Sequence, residues 1–429
     1  MAARYESFQM GGATVALCPM ADLESVAVGL WFRVGGRYEK IRENGMAHFI
    51  EHMLFKGTRR RSARKISEVI EGRGGDINAF TSEELTCYYA RMSARHFPLL
   101  VDVLFDMTRN STFPADEFER ERTVIQEEIR MYNDQPGSVA MDQLNMLLWP
   151  SHSLGRPITG TVESVGAISR ADLCGFWKRY YHPANLVLTV AGRVNRPSVE
   201  KALEPWLGKT TSRLKPSTLG ERAPKSPAPQ RGIATARPVE QVSVAIGSYG
   251  LSRHDPRRHT MRLLSVLLGE NMSSRLFQNL RERHGLAYSV QSSVSQFEET
   301  GAIYIQLGLE AGNVLKAVKL IRKEIVSLLQ GKISRAELKR AKDYAIGQFQ
   351  LNLETSTNHM FWMGEGIAAY RRIPSAEEVM KRFSGVQAED ISRLARDIFG
   401  KGRFYLSLVG PEESVKLASE ASVELNSGF

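Results

Sequence analysis

The chain repeats itself, and this limits its fold more than any other feature. Residues 26–31 (VAVGLW) have a counterpart at 242–247 (VSVAIG), and both have the apolar content of a buried or alternating strand. The segment 113–118 (FPADEF), which opens a helix, matches 333–338 (ISRAEL). Later, Ala171-Asp172-Leu173 precedes a helix and then the strand 185–192 (NLVLTVAG). Glu389-Asp390-Ile391 precedes a helix and then 404–410 (FYLSLVG). The three pairs are offset by 216, 220 and 218 residues, a spacing that two halves built from the same succession of elements would keep.

Within each half, strands are grouped and separated by long helices. Residues 76–91 and 290–309 read as antiparallel pairs with polar turns at 81–84 (TSEE) and 297–301 (FEETG). The expectation is an α+β protein of two similarly folded domains, each a mainly antiparallel sheet with helices packed on one face. Residues 1–212 form the first domain and 233–429 the second. Between them, 213–232 is rich in Lys, Arg, Pro and Ser, lacks apolar periodicity, and reads as a linker. A length of 429 residues suits two cores better than one.

Composition excludes several classes. The apolar share is 42% and the charged share 24%, as in soluble globular proteins. No apolar run approaches the ~18 residues of a membrane-spanning helix. The first residues, MAARYE, lack the apolar core of a secretory signal, so a cytoplasmic location is expected. Cys18, Cys87 and Cys174 are odd in number and far apart, which fits free thiols rather than a disulfide framework. The net charge of +10 is scattered apart from Lys56, Arg59, Arg60, Arg61, Arg64 and Lys65. Without a nucleic-acid-binding signature beside it, that cluster reads as a solvated face.

The chemistry concentrates in the first half. Asn44 is placed to cap a helix that carries His48-Phe49-Ile50-Glu51-His52 and stops near Gly57. Four residues apart, His48 and His52 project from one helix face and offer two nitrogen ligands of the kind zinc accepts. Glu51 lies on the same side, within reach of a water activated there, and completes the parts for hydrolysis near neutral pH. A third protein ligand is needed. The helix from Phe118 to Tyr132 offers Glu121, Glu127 and Glu128. Phe118, Ile125 and Tyr132, with Val124 and Ile129 beside them, mark its inward face. Glu121 and Glu128 fall on or next to that face, while Glu127 points away with Arg120 and Arg130. An inward carboxylate needs a partner, which a metal would supply for Glu128. Helix geometry favours Glu128 as that ligand and also allows an internal ion pair with an arginine.

At this point the sequence resembles the pitrilysin or insulinase family of metallopeptidases along nearly its whole length. The similarity is to the short two-domain branch, with bacterial processing-protease-like proteins and the catalytic subunit of the mitochondrial processing peptidase. The resemblance rests on the HxxEH motif, a carboxylate 76 residues beyond its second His, and the two halves. It implies His48, His52 and Glu128 as ligands of one zinc ion per chain, Glu51 as general base and Glu121 as a supporting acid. It also implies that segment 74–81 (GGDINAFT) is an edge strand that receives an extended peptide through Asn78, Ala79 and Phe80. Read alone, that segment is a glycine turn feeding a hairpin. The resemblance further implies that Arg281 holds a substrate carbonyl and Tyr288 donates to the developing oxyanion. Read alone, Arg281 is a surface cation and Tyr288 a core aromatic.

The second half reads MRLLSV at 261–266, where the first carries its histidines, so only one half is expected to bind metal. Larger relatives enclose substrate between two halves, each about the size of this chain. The resemblance therefore implies a homodimer, or a heterodimer with a similar chain, that acts on peptides or unfolded segments, with no nucleic-acid or membrane partner. Two rival readings are a peptide-binding or assembly subunit that keeps zinc structurally and a basic nucleic-acid binder.

Overall fold

The computed structural model describes residues 4–208, 214–220, 222–223, 230–400 and 402–428. Part of the expected linker, residues 213, 221 and 224–229, lies outside the described residues. The chain forms two units. Unit 1 comprises Met1–Arg130, Pro157–Gly220 and Leu351–Pro374, and unit 2 comprises Met131–Arg156, Glu221–Gln350 and Ser375–Phe429.

Unit 1 is built on a sheet of β1 (Glu6–Met10), β2 (Ala13–Pro19), β3 (Ser25–Phe32), β4 (Asp76–Thr81), β5 (Thr86–Ser93) and β6 (Leu186–Gly192). Unit 2 is built on β7 (Gly232–Ala236), β8 (Gln241–Tyr249), β9 (Ala287–Gln296), β10 (Gly301–Glu310) and β11 (Tyr405–Gly410). The strand orders are β1-β2-β6-β3-β5-β4 and β7-β11-β8-β10-β9. Leaving out β1, they superimpose term by term. Each sheet is antiparallel except for one parallel pair, β2 with β6 and β7 with β11. The repeated segments seen in the sequence are β3 and β8, then β6 and β11, in equivalent places. The α+β fold expected from the repeat is therefore present in both halves.

In unit 1 most helices cover one face of the sheet. They include α1 (Met46–Leu54), and the longer α2 (Ala115–Asn133) begins in this unit. Phe49 of α1 stacks on Phe118 of α2, with ring centroids 4.9 Å apart and planes 2° from parallel, which fixes one helix against the other. The opposite face is not bare, because β3 is buried on both sides. Two helices are exchanged between the sequence halves to cover such faces. α3 (Pro136–Leu148), from the first half, packs Leu144 and Leu148 beside Gly247 of β8 in unit 2. α4 (Ser356–Tyr370), from the second half, packs Met360, Met363 and Ile367 on Trp31, Ala27 and Cys87 in unit 1.

Where α4 crosses Trp31 it carries Gly364, and a Cβ there would lie 2.0 Å from Trp31 Cε2. Trp31 is fully buried and its Nε1 donates to Thr189 Oγ1 at 2.9 Å, so the ring has little room to move. Alanine gains about 1 kcal/mol over glycine as a helix former. Overpacking costs about 1–3 kcal/mol. The clash outweighs the propensity, and Gly364→Ala is expected to lower stability in urea unfolding, whereas a gain would mean that α4 is not seated as described.

A second expectation concerns acid. His259, on the helix Arg258–Ser265, packs edge-on to Phe383 with centroids 5.0 Å apart. Its buried Nε2 has no hydrogen-bond partner among the described residues. Burial first, then the charges of Arg258 and Arg382, push its pKa down from 6.5 to about 4. The unfolded chain therefore binds this proton first. The stability that neutral His259 gives above pH 6.5 is lost as the pH falls toward about 4. Thermal unfolding of His259→Phe at pH 7 and pH 5 should show a smaller loss than wild type, and an identical loss would rule His259 out.

Candidate metal centre

The helix carrying the histidines starts differently from the sequence expectation. Asn44 does not cap α1; its Nδ2 donates to Pro157 O at 2.9 Å. The N-cap is Gly45 at φ 92°, a left-handed conformation open to glycine. The backbone N–H groups of Gly45 and Ala47 donate to the carboxylate of Glu39 at 3.0 and 2.7 Å. A buried acid several residues upstream thus satisfies the free end of the helix.

One turn apart on α1, the His48 and His52 rings lie 4.7 Å apart. Glu128 Oε2, from α2, is 3.7 Å from His48 Nε2 and 3.5 Å from His52 Nε2. Ligand atoms of these three residues all lie within 4.8 Å of one another, the one such group found among the described residues. Ligands around a tetrahedral zinc with bonds of about 2.0–2.1 Å sit about 3.4 Å apart, so the spacing and the donor types fit that ion. The other nitrogen of His52, Nδ1, is 3.1 Å from Glu121 Oε2, and Glu121 Oε1 is held by Lys56 Nζ at 2.7 Å. This carboxylate sets the tautomer and the ring orientation of His52, the usual support for a metal-binding imidazole.

The electrostatics separate the two histidines. Burial, reinforced by His52, lowers His48 to about pKa 4, so its imidazole is neutral near pH 7. Burial would also lower His52, but hydrogen bonds to Glu121 and Glu128 outweigh it and raise the pKa to about 9. Two carboxylates therefore favour positive charge at His52, where a divalent cation would compete with the proton. Burial raises Glu51, against the opposing effects of Thr81 and the His52 charge. Thr81 Oγ1 donates to Glu51 Oε2 at 2.5 Å.

Of the three candidate acids on α2, Glu121 is buried and Glu128 half-buried, while Glu127 pairs at the surface with Arg130. The expected inward face is narrower than its seven-residue spacing suggests. Phe118, Ile125 and Ile129 are buried, but Val124 and Tyr132 are 45% and 39% exposed. The basic cluster is not simply a solvated face either. Lys56 supports Glu121, and Arg61 pairs with Asp102 and fully buried Asp106 at 2.5 and 2.6 Å.

Asn78, Ala79 and Phe80 lie on β4, which ends its sheet. Asn78 is exposed, Ala79 is half-buried, and Phe80 packs edge-on to Trp31. Arg281 and Tyr288 belong to unit 2 and are brought together there. The Arg281 guanidinium lies 4.9 Å from the ring centroids of both Phe277 and Tyr288. Tyr288 is 78% exposed, not the core aromatic that sequence physics favours. The roles of Lys56 and Thr81 at the centre are not apparent from the sequence. Thr81 was legible only as the end of the 74–81 segment, where strand alternation places it on the α1 side with Ala79. Cys18 and Cys87 are buried, Cys174 is half-buried, and all three are free thiols. Among the described residues, no helix is long and apolar enough to cross a membrane.

The chain is similar to known proteins along most of its length. Residues 15–162 match the insulinase family (peptidase family M16), and residues 167–344 match the peptidase M16 inactive domain. An uncharacterized zinc protease of Streptomyces coelicolor is 35% identical over 94% of this chain and 88% of its own length. One from Bacillus subtilis is 34% identical over 93% of this chain and 96% of its own. The crystal structure of a Helicobacter pylori protease superimposes with a TM-score of 0.89 at 23% identity, covering 96% of this chain and all of that one. A peptidase M16 inactive domain from Pseudomonas fluorescens gives 0.85 at 20% identity, over 95% and 98%. These last two share the fold. With relatives this similar over nearly its whole length, the chain belongs to the insulinase family, peptidase family M16.

Proposed function

We propose that this chain is a zinc-dependent endopeptidase that cleaves peptides or unfolded polypeptide segments. The observation that carries the reading is the convergence of His48, His52 and Glu128 on one point, with Glu51 on the same helix and not among the three donors. The relatives named zinc proteases support it.

In this reading His48, His52 and Glu128 hold one zinc ion, with His52 oriented by Glu121. Zinc, when bound, is a Lewis acid that polarises the scissile carbonyl and acidifies water. Glu51 takes the proton of the attacking water and delivers it to the leaving amine, with no covalent intermediate. Burial, which raises the Glu51 pKa, suits a group that must accept a proton and then release it.

The substrate reading rests on β4. It pairs with β5 along one edge and ends the sheet at the other, so an extended peptide can add there through backbone hydrogen bonds. Backbone recognition tolerates varied sequences but requires an unfolded segment. Arg281 and Tyr288 complete the proposal from the metal-free half, Arg281 holding a carbonyl and Tyr288 donating to the oxyanion. The working form is a homodimer, or a heterodimer with a similar chain.

The test is digestion of one sequence in two states. The zinc-loaded protein should cleave an unstructured polypeptide and spare the same sequence when it is folded, while sedimentation gives a mass of two chains. Equal cleavage of both states would contradict addition to β4.

A further inference from the structure

Thr81 is the last residue of β4, opposite Thr86 of β5. Side chains alternate along a strand. On β4, Phe80 turns toward Trp31 on one face of the sheet, while Ile77 and Ala79 pack into the core that contains α1. Thr81 shares the face of Ile77 and Ala79, which brings its hydroxyl to Glu51. It donates to Glu51 Oε2 at 2.5 Å, a short bond from a neutral hydroxyl to a carboxylate. Its own position is set by the register that pairs Thr81 with Thr86 across β4 and β5. Thr86, fully buried, gives its hydroxyl proton to Val34 O at 2.9 Å and leaves Thr81 free to donate to Glu51. The strand with the open edge and the carboxylate on the helix are therefore tied by a single side-chain hydrogen bond.

We propose that Thr81 is a positioning residue, holding the Glu51 carboxylate in fixed relation to the backbone of β4, so that one strand sets both the register of the added peptide and the placement of the base. This rests on reading Glu51 as the base and β4 as the receiving strand. A glutamate side chain turns about three bonds, and α1 alone fixes only where it begins. A misplacement of about 1 Å can cost on the order of 100-fold in rate. Because Thr81 acts through Glu51, its loss should appear in kcat and leave the peptide-binding edge and the metal donors intact.

The experiment uses the full chain, zinc-loaded, with an unstructured peptide substrate. Thr81→Val keeps the shape and the strand preference while removing the donor. Its kcat is expected to fall about 10- to 100-fold, with KM and zinc affinity, measured by chelator competition, unchanged. Thr81→Ser retains the donor and should stay within about threefold of wild type. Adding Thr81→Val to Glu51→Gln should cost nothing more, because the two act as one unit. Should Thr81→Val fail to fold, Thr81→Ala carries the same expectation. Wild-type kcat in Thr81→Val, equal losses in Thr81→Val and Thr81→Ser, or a loss confined to KM or zinc affinity would overturn the proposal. Glu51→Gln separates the two readings. If it is inactive while Thr81→Val is normal, the Thr81 role alone fails; if it is active, the base assignment fails and takes Thr81 with it.

Discussion

Glu51→Gln is expected to bind zinc as wild type does and to cleave peptides about 10²- to 10⁴-fold more slowly. The substitution is nearly isosteric, and the glutamine carbonyl oxygen can still accept the hydrogen bond from Thr81 Oγ1, so the site keeps its shape. What disappears is a group able to take a proton. His48, His52 and Glu128 are untouched, which is why zinc content should not change. Metal analysis and kcat on the same preparation check both parts. Activity retained in full would remove Glu51 from the mechanism.

The second large effect distinguishes the acids of α2. Glu128→Ala removes an oxygen that lies 3.7 and 3.5 Å from the two imidazole nitrogens, and zinc affinity is expected to fall by more than about 100-fold, with activity lost alongside it. Glu121→Ala removes the partner of His52 Nδ1 but no donor to the metal, and a loss of about 10- to 100-fold is expected. Glu127→Ala, which breaks only a surface ion pair with Arg130, should leave zinc affinity unchanged. Chelator competition on the three variants gives the order, and a larger loss in Glu121→Ala than in Glu128→Ala would reverse the roles.

The parts of this protein that follow from local periodicity were legible in its sequence. The equivalence of β3 with β8 and of β6 with β11 was visible because buried strands have compositions that recur, and the pairing of β4 with β5 because alternation was interrupted by polar turns. His48 and His52 were legible because helical spacing puts them on one face. What depends on contacts distant in sequence was not. Nothing local in Met360, Met363 and Ile367 says that α4 covers the sheet of the other sequence half, since an apolar stripe does not specify what it covers. The capping of α1 by Glu39 was hidden for a related reason. Asn44 is the residue local rules favour, but its amide is engaged by Pro157 O, and the buried Glu39 carboxylate reaches the free N–H groups instead. Glu128 could be preferred over Glu127 by face alone, whereas the Lys56–Glu121–His52 chain and the Thr81–Glu51 bond required three-dimensional placement.

Zinc-dependent peptide cleavage is tested most directly by a zinc titration of the metal-stripped protein, followed by mass spectrometry of a random peptide library. Zinc-dependent hydrolysis requires that nothing is cleaved without metal and that cleavage rises with added zinc until about one ion is bound per chain. Cleavage that survives removal of zinc, or fully zinc-loaded protein that cuts no peptide in the library, would contradict it.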